Sequence, residues 1–206
     1  MIRMMLQNQL SANRSLWFFV LLVLYIPCGV VYAETPSATM LAYTCAGCHG
    51  TNGSSVGPAS PTIAGMSADY FVETMLAYKN ATRPSTIMTR IAKGYTDEEI
   101  QLMADFFSTQ PIVRQAQAHD NKKAERGRKL HKKYCHKCHE EGGALPEDDA
   151  GILAGQWAPF LGFTLTDFLT GNRPMGVKKK QQLDKLIKQQ GDAGIEQLIE
   201  FYASQQ

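Results

Sequence analysis

The sequence predicts an all-α protein built from two tandem copies of one small helical domain, and three observations predict it. The pentapeptide Cys45-Ala46-Gly47-Cys48-His49 returns 90 residues later as Cys135-His136-Lys137-Cys138-His139. Other positions repeat at the same offset: Met40 and Leu130, Thr44 and Tyr134, Ala64-Gly65 and Ala154-Gly155, Tyr70 and Phe160, Arg83-Pro84 and Arg173-Pro174. The apolar residues near the end of each copy, Ile100, Met103, Ala104, Phe107 and then Ile195, Leu198, Ile199, Tyr202, share the i, i+3, i+4, i+7 spacing of a helix face. This is a single duplication, not a long repeat array. The whole chain of 206 residues suits two domains of roughly 80 to 90, each too small to bury a comfortable core unaided.

The pentapeptides state what supplies the missing core. Two thiols spaced to reach the two vinyl groups of one porphyrin, followed at once by an imidazole that can ligate its iron, form the c-type haem attachment pattern. Paired Cys-x-x-Cys also occurs in zinc knuckles and thioredoxin-like redox sites. Neither chemistry requires a histidine directly after the second cysteine, and here it is present both times. Two covalent haems are therefore expected, on Cys45, Cys48, Cys135 and Cys138, with His49 and His139 as iron ligands. Each haem would act as an apolar staple for its domain.

Residues 1–33 read as a secretory signal. Arg3 and Arg14 precede the apolar run Leu16 to Ile26, and Val31-Tyr32-Ala33 gives a small-residue cleavage site. The run is interrupted by Pro27 and Gly29, which argues against a spanning anchor. Cleavage after Ala33 removes Cys28 and leaves four of the five cysteines, all in the haem motifs. It also takes the formal charge from +2 to 0, so nothing points to nucleic acid. Covalent haem attachment belongs to an oxidising compartment, which makes the expected location periplasmic.

In chain order, residues 34–109 form the expected first domain. Met40, Leu41, Tyr43 and Thr44 mark a short helix running into Cys45. Gly50 to Gly65 is a loop by its glycine and proline density. Ser67 caps a helix carrying Tyr70, Phe71, Met75, Leu76 and Tyr78, which ends before Pro84. Thr96-Asp97-Glu98-Glu99 is a capping box opening the last helix. Residues 110–123 read as a polar linker, long enough at about 50 Å extended to allow almost any arrangement of the halves. The second domain is expected over 124–206. The basic residues Lys122, Lys123, Arg126, Arg128, Lys129, Lys132 and Lys133 read as a solvated helix face, and Lys178, Lys179 and Lys180 as a solvated run. His136 is expected to face away from iron and His119 and His131 to lie exposed on polar segments, with Trp157 and Tyr70 packed on haem.

The duplication also selects the second iron ligands. Thioether sulfur opposite histidine suits electron-transfer iron. Met175 is the one methionine after Met103 and directly follows Arg173-Pro174; alignment on that pair makes Met88 its partner. Met75 and Met103 lie on helix faces and read as core, and Met66 aligns with Gln156, which cannot serve the same purpose.

Thr44 to Thr51, Ser55-Val56-Gly57-Pro58-Ala59-Ser60-Pro61, Pro84-Ser85-Thr86-Ile87-Met88, Arg90 to Tyr95 and the ending Phe201 to Gln206 resemble the dihaem cytochrome subunit of flavocytochrome c sulfide dehydrogenase. The resemblance implies two class I cytochrome c domains, each a small helical fold wrapped round one covalent haem. It implies a separate FAD-containing partner that oxidises sulfide, and a soluble cytochrome c-type acceptor. It carries over at Cys45, Cys48, His49, Met88, Cys135, Cys138, His139 and Met175. The family's proline whose carbonyl holds the ligand histidine would be Pro61, but the aligned residue of the second half is Gly151, so His139 needs another orienting group.

The expected function is a one-electron relay with no catalytic residue on this chain: a reduced flavin holds two electrons, and two haems can drain it. A dihaem carrier of the c4 type, serving a terminal oxidase without a flavoprotein, is the alternative. A dihaem peroxidase is a further one, opposed by the two matched methionines.

Overall fold

The structure, a computed structural model, describes residues 34–147 and 149–206. The expected signal segment, 1–33, lies outside the described residues. Among these residues the fold is helical, with a lone β-bridge between Glu147 and Ala150 and no strand, as the sequence predicts. No described helix is long and apolar enough to cross a membrane.

Among the described residues eight α-helices follow in order: α1 (Ala38–Tyr43), α2 (Ala46–His49), α3 (Ala68–Lys79), α4 (Met88–Ile91), α5 (Asp97–Ser108), α6 (Asn121–Tyr134), α7 (Ala158–Leu169) and α8 (Val177–Ala203). Two hydrophobic cores hold them. The first joins Leu41, Phe71 and Met75 to the α5 face Ile100, Met103, Ala104 and Phe107, all at or below 1% exposure on α5. Burial of each large α5 side chain stabilises by about 1.5–3 kcal/mol. The second gathers Leu130, Tyr134, Leu161, Leu186, Leu198, Phe201 and Tyr202. Met75 and Met103 are core, as expected.

Backbone hydrogen bonds repeat with the sequence. Gly53 O accepts from Ile63 N and Ala64 N at 2.8 and 3.1 Å; Gly143 O accepts from Leu153 N and Ala154 N at 2.8 and 3.0 Å. Gly65 N donates to Phe107 O at 2.9 Å, and Gly155 N to Tyr202 O at 2.8 Å. The loop after each haem motif is thus tied to its terminal helix in the same way.

Local chemistry explains the helix ends. Thr96 and Glu99 form the predicted reciprocal box, Glu99 N to Thr96 Oγ1 at 3.1 Å and Thr96 N to Glu99 Oε2 at 2.8 Å. Asp120 caps α6, accepting from Lys122 N and Lys123 N at 2.8 and 3.0 Å. The α6 residues Ala124, Gly127, Leu130, His131 and Tyr134 point inward, and its basic residues outward. Gly127 permits the crossing of α6 on α8, because a β-carbon there would lie 1.9 Å from Gln197 O.

Three expectations change. The linker's last residues, 121–123, form the first turn of α6, and the remaining segment is bound to both halves. Ser54 Oγ accepts from Val113 N at 3.0 Å, Arg114 Nε donates to Ala154 O at 3.1 Å, and Gln117 Oε1 accepts from Ala158 N at 2.9 Å. Polar composition here marks a strap that satisfies backbone groups, not a free tether. His131 is buried, with Nδ1 3.0 Å from the Tyr202 hydroxyl; it takes the register of buried Leu41 and finds a polar partner inside. The lysine run opens α8, and Lys179 folds back to pair with Asp149 Oδ2 at 2.7 Å.

Candidate haem sites and the junction between them

In the first half, α1 is capped by Ser37, which accepts from Met40 N at 3.2 Å, and the chain turns at once into α2. Cys48 N and His49 N both donate to Cys45 O, at 3.2 and 2.9 Å. This single turn puts Cys45, Cys48 and His49, at i, i+3 and i+4, on one face. His49 is 9% exposed, and its Nδ1 donates to Pro61 O at 2.7 Å. That bond leaves Nε2 as the free nitrogen. Burial pushes the imidazole's pKa below its ordinary value and so favours the neutral form a metal requires, against the opposing effect of the Pro61 bond.

The second half builds the same turn at the end of α6: Cys138 N and His139 N donate to Cys135 O at 3.1 and 3.0 Å. Burial, with Lys179 and His131 nearby, lowers the His139 pKa to about 4. Among the described residues His139 has no counterpart of the Pro61 bond. Gly151, at that register, faces Tyr70 instead: a β-carbon there would lie 2.9 Å from the Tyr70 ring. Met88 begins α4, half-buried against the first core, and Met175 is half-buried just ahead of α8.

The cysteines fit thioether attachment better than zinc. Burial raises the Cys45 thiol and pushes Cys135 up to about 11, so neither is held as a thiolate by its protein surroundings. The two pairs also do not converge: among the described residues no three His, Cys, Asp or Glu gather as a metal cluster.

The sequence reading missed the junction of the halves. Gln156, 5% exposed, accepts from Thr62 N at 2.9 Å and donates to Thr62 O at 3.0 Å. Trp157 Nε1 donates to Ser55 O at 3.3 Å, and Arg173 Nη2 to the Tyr70 hydroxyl at 3.0 Å. Trp157 and Tyr70, expected on haem, therefore join one half to the other. The duplicate arginines Arg83 and Arg173 both lie here, over the rings of Tyr78 and Phe168. Burial alone would raise the Tyr70 phenol, but these two cations outweigh it and hold its pKa below the ordinary value. Neither arginine has a carboxylate partner among the described residues. Haem propionates would supply the missing negative charge, so the donor set fits the group the motifs imply. The signal that could have found this site is the repeat of Arg-Pro itself, since a duplicated arginine seldom survives without a counter-charge to meet.

Known proteins match this architecture. The cytochrome c family matches residues 37–111. The cytochrome subunit of sulfide dehydrogenase from Chlorobaculum tepidum is 48% identical over 68 residues, covering 33% of this chain; the chain spans 61% of that relative's length. Cytochrome c4 from Thiocapsa roseopersicina is 30% identical over 148 residues, covering 66% of this chain and 76% of the relative. The crystal structure of reduced cytochrome c4 from Pseudomonas stutzeri superposes with a TM-score of 0.70 over 82% of this chain and 97% of that one, at 23% identity.

Proposed function

Because this chain belongs to the cytochrome c family, as a dihaem electron carrier, we propose that it is the haem subunit of a sulfide dehydrogenase, relaying electrons from a flavoprotein partner to a soluble c-type acceptor. The observation that carries this reading is the pair of helical turns, each setting two cysteines and a histidine on one face, within halves locked together by Gln156 and Trp157. Cys45 and Cys48 would hold one haem and Cys135 and Cys138 the other, with His49 and Met88, His139 and Met175 as iron ligands. Bound there, two haems supply two one-electron stations, enough to empty a two-electron flavin.

The chain's own residues do the rest. Pro61 O fixes the His49 ring, and burial keeps both histidines neutral. The hydrogen bonds across the junction fix one half against the other, so that transfer between the sites needs no domain motion. The chain is exported to the periplasm, where residues 1–33 are removed, and FAD resides on the partner.

A second reading, a free c4-type carrier, is favoured by the length over which c4 matches, twice the share matched by the sulfide dehydrogenase subunit. Stopped-flow reduction by sulfide separates them. Reduction should be slow for the isolated chain and fast with the FAD-loaded partner present; equal rates in both mixtures would leave the carrier reading alone.

A further inference from the structure

The halves differ most on one outer face. Helix α7 carries apolar side chains at eight of its twelve positions, a composition that suits a helix covered on more than one face. Yet of its residues only Leu161 is buried, while Phe163 is 63% and Leu169 47% exposed. Pro159, Phe163 and Leu169, with Ile195 and Ile199 of α8, line a groove of about 530 Å³.

The first half shows this face when it meets water. In the register of the duplication, Pro159, Phe163 and Leu169 correspond to Asp69, Glu73 and Lys79, and Lys79 closes onto Asp97 with an ion pair of 2.6 Å. The second half keeps the carboxylate, as Asp192 on the groove's edge, but has exchanged its lysine for Leu169. Among the described residues Asp192 has no ion-pair partner.

We propose that this groove holds the flavoprotein subunit, through an apolar segment of that partner which brings a lysine or arginine to Asp192. The inference rests on the sulfide dehydrogenase reading above. No haem-site residue lines the groove, so it is not placed for a transient electron acceptor, whose contacts are small. A lasting subunit contact is the kind that buries an aromatic anchor inside a charged rim. A second copy is a poor occupant: its matching patch brings another unpaired carboxylate and no cation.

The test is affinity of the dihaem chain for the FAD-loaded flavoprotein, by titration calorimetry. The double variant Phe163→Glu, Leu169→Lys recreates the charges of the first half and places a cation beside Asp192, so the fold has what it needs; haem content and spectrum verify this. Affinity should fall about 30-fold or more. Leu169→Lys alone, the gentler change, should weaken binding about 10-fold, and should do so even if the double variant folds poorly. Affinity within twofold of wild type for both overturns the proposal. So does sedimentation showing a wild-type dimer that the variants convert to monomer, since the occupant is then a second copy. A wild-type chain that does not bind the flavoprotein at all removes the sulfide dehydrogenase reading instead, and the occupant with it.

Discussion

The ligand histidine of the first half is held from within its own loop, by Pro61; the second half has Gly151 at that register, where the ring of Tyr70 from the other half packs. The hydrogen bonds that close the backbone turns of the two copies agree in length to within about 0.1 Å, and the copies then diverge in side chains. Thr44 Oγ1 lies 2.6 Å from the Tyr95 hydroxyl; its counterpart Tyr134 donates to Gln189 Oε1 at 2.5 Å. The single turn α4 and the short 3-10 turn after it correspond to the long first part of α8. Across the junction the exchange runs both ways: the second half uses the Tyr70 hydroxyl for Arg173, and the first uses Gln156 for the Thr62 backbone and Trp157 for Ser55 O. A duplicated fold keeps its hydrogen-bonded frame while one copy gives up an internal contact for an external one.

The largest test of this asymmetry is at the iron. Met88→Ala and Met175→Ala should each remove the sulfur-to-iron charge-transfer band of one haem and lower its potential by on the order of 100 mV, a fraction of the span that axial ligation commands. The two haems should respond separately. Spectroelectrochemical titration checks this, and an unchanged band in the Met88 variant would return Met66 to consideration in the first half.

Next in size is the junction. Gln156→Ala leaves the Thr62 N–H and carbonyl without their partner inside the protein, a loss of about 1–3 kcal/mol. Because the orphaned groups belong to the first half's loop, denaturation should become biphasic in this variant, with the first haem reporting the earlier phase. A single transition at unchanged midpoint would mean that the halves do not support each other.

The terminal helices give a smaller effect of opposite character. Thr96 caps α5, but its counterpart is Gly191, at φ +61° and ψ −158°, where α8 breaks. Thr96→Ala should cost about 1 kcal/mol through the lost cap. Gly191→Ala should cost about 1–3 kcal/mol through backbone strain, since that region suits glycine alone. Paired thermal melts of the two holoprotein variants measure both.

Haem motifs, the capping box and the α5 face were legible because each is local: its residues lie within about eight positions and their spacing encodes the geometry. The junction was not, because Gln156 and Thr62 are 94 residues apart and neither is unusual alone. His131 misled for the same reason. A histidine amid lysines looks solvated until Tyr202, 71 residues on, turns out to face it. The break at Gly191 was equally hidden, since a polar stretch around one glycine does not announce whether the helix continues.

The smallest expected effect is acid sensitivity confined to the second half. The Lys179 ammonium hydrogen-bonds Asp149 and holds its carboxyl below the ordinary carboxylate value, outweighing slight burial. A carboxyl whose folded pKa is depressed contributes stability that is present above its unfolded value and is lost as pH falls through the folded one. The contribution should therefore be intact at neutral pH, begin to fall near pH 3.8, the ordinary aspartate value, and vanish only below the depressed folded value. Asp149 is mostly exposed, so solvent screening limits the pair to well under about 1 kcal/mol. Asp149→Asn should thus lower the neutral-pH melting temperature slightly and leave the melt in strong acid unchanged, with the charge-transfer band of the second haem as the readout. The first haem should follow the same acid titration in variant and wild type. A shift seen at both haems would mean that this pair supports the junction, and that the halves are less separable than their side chains suggest.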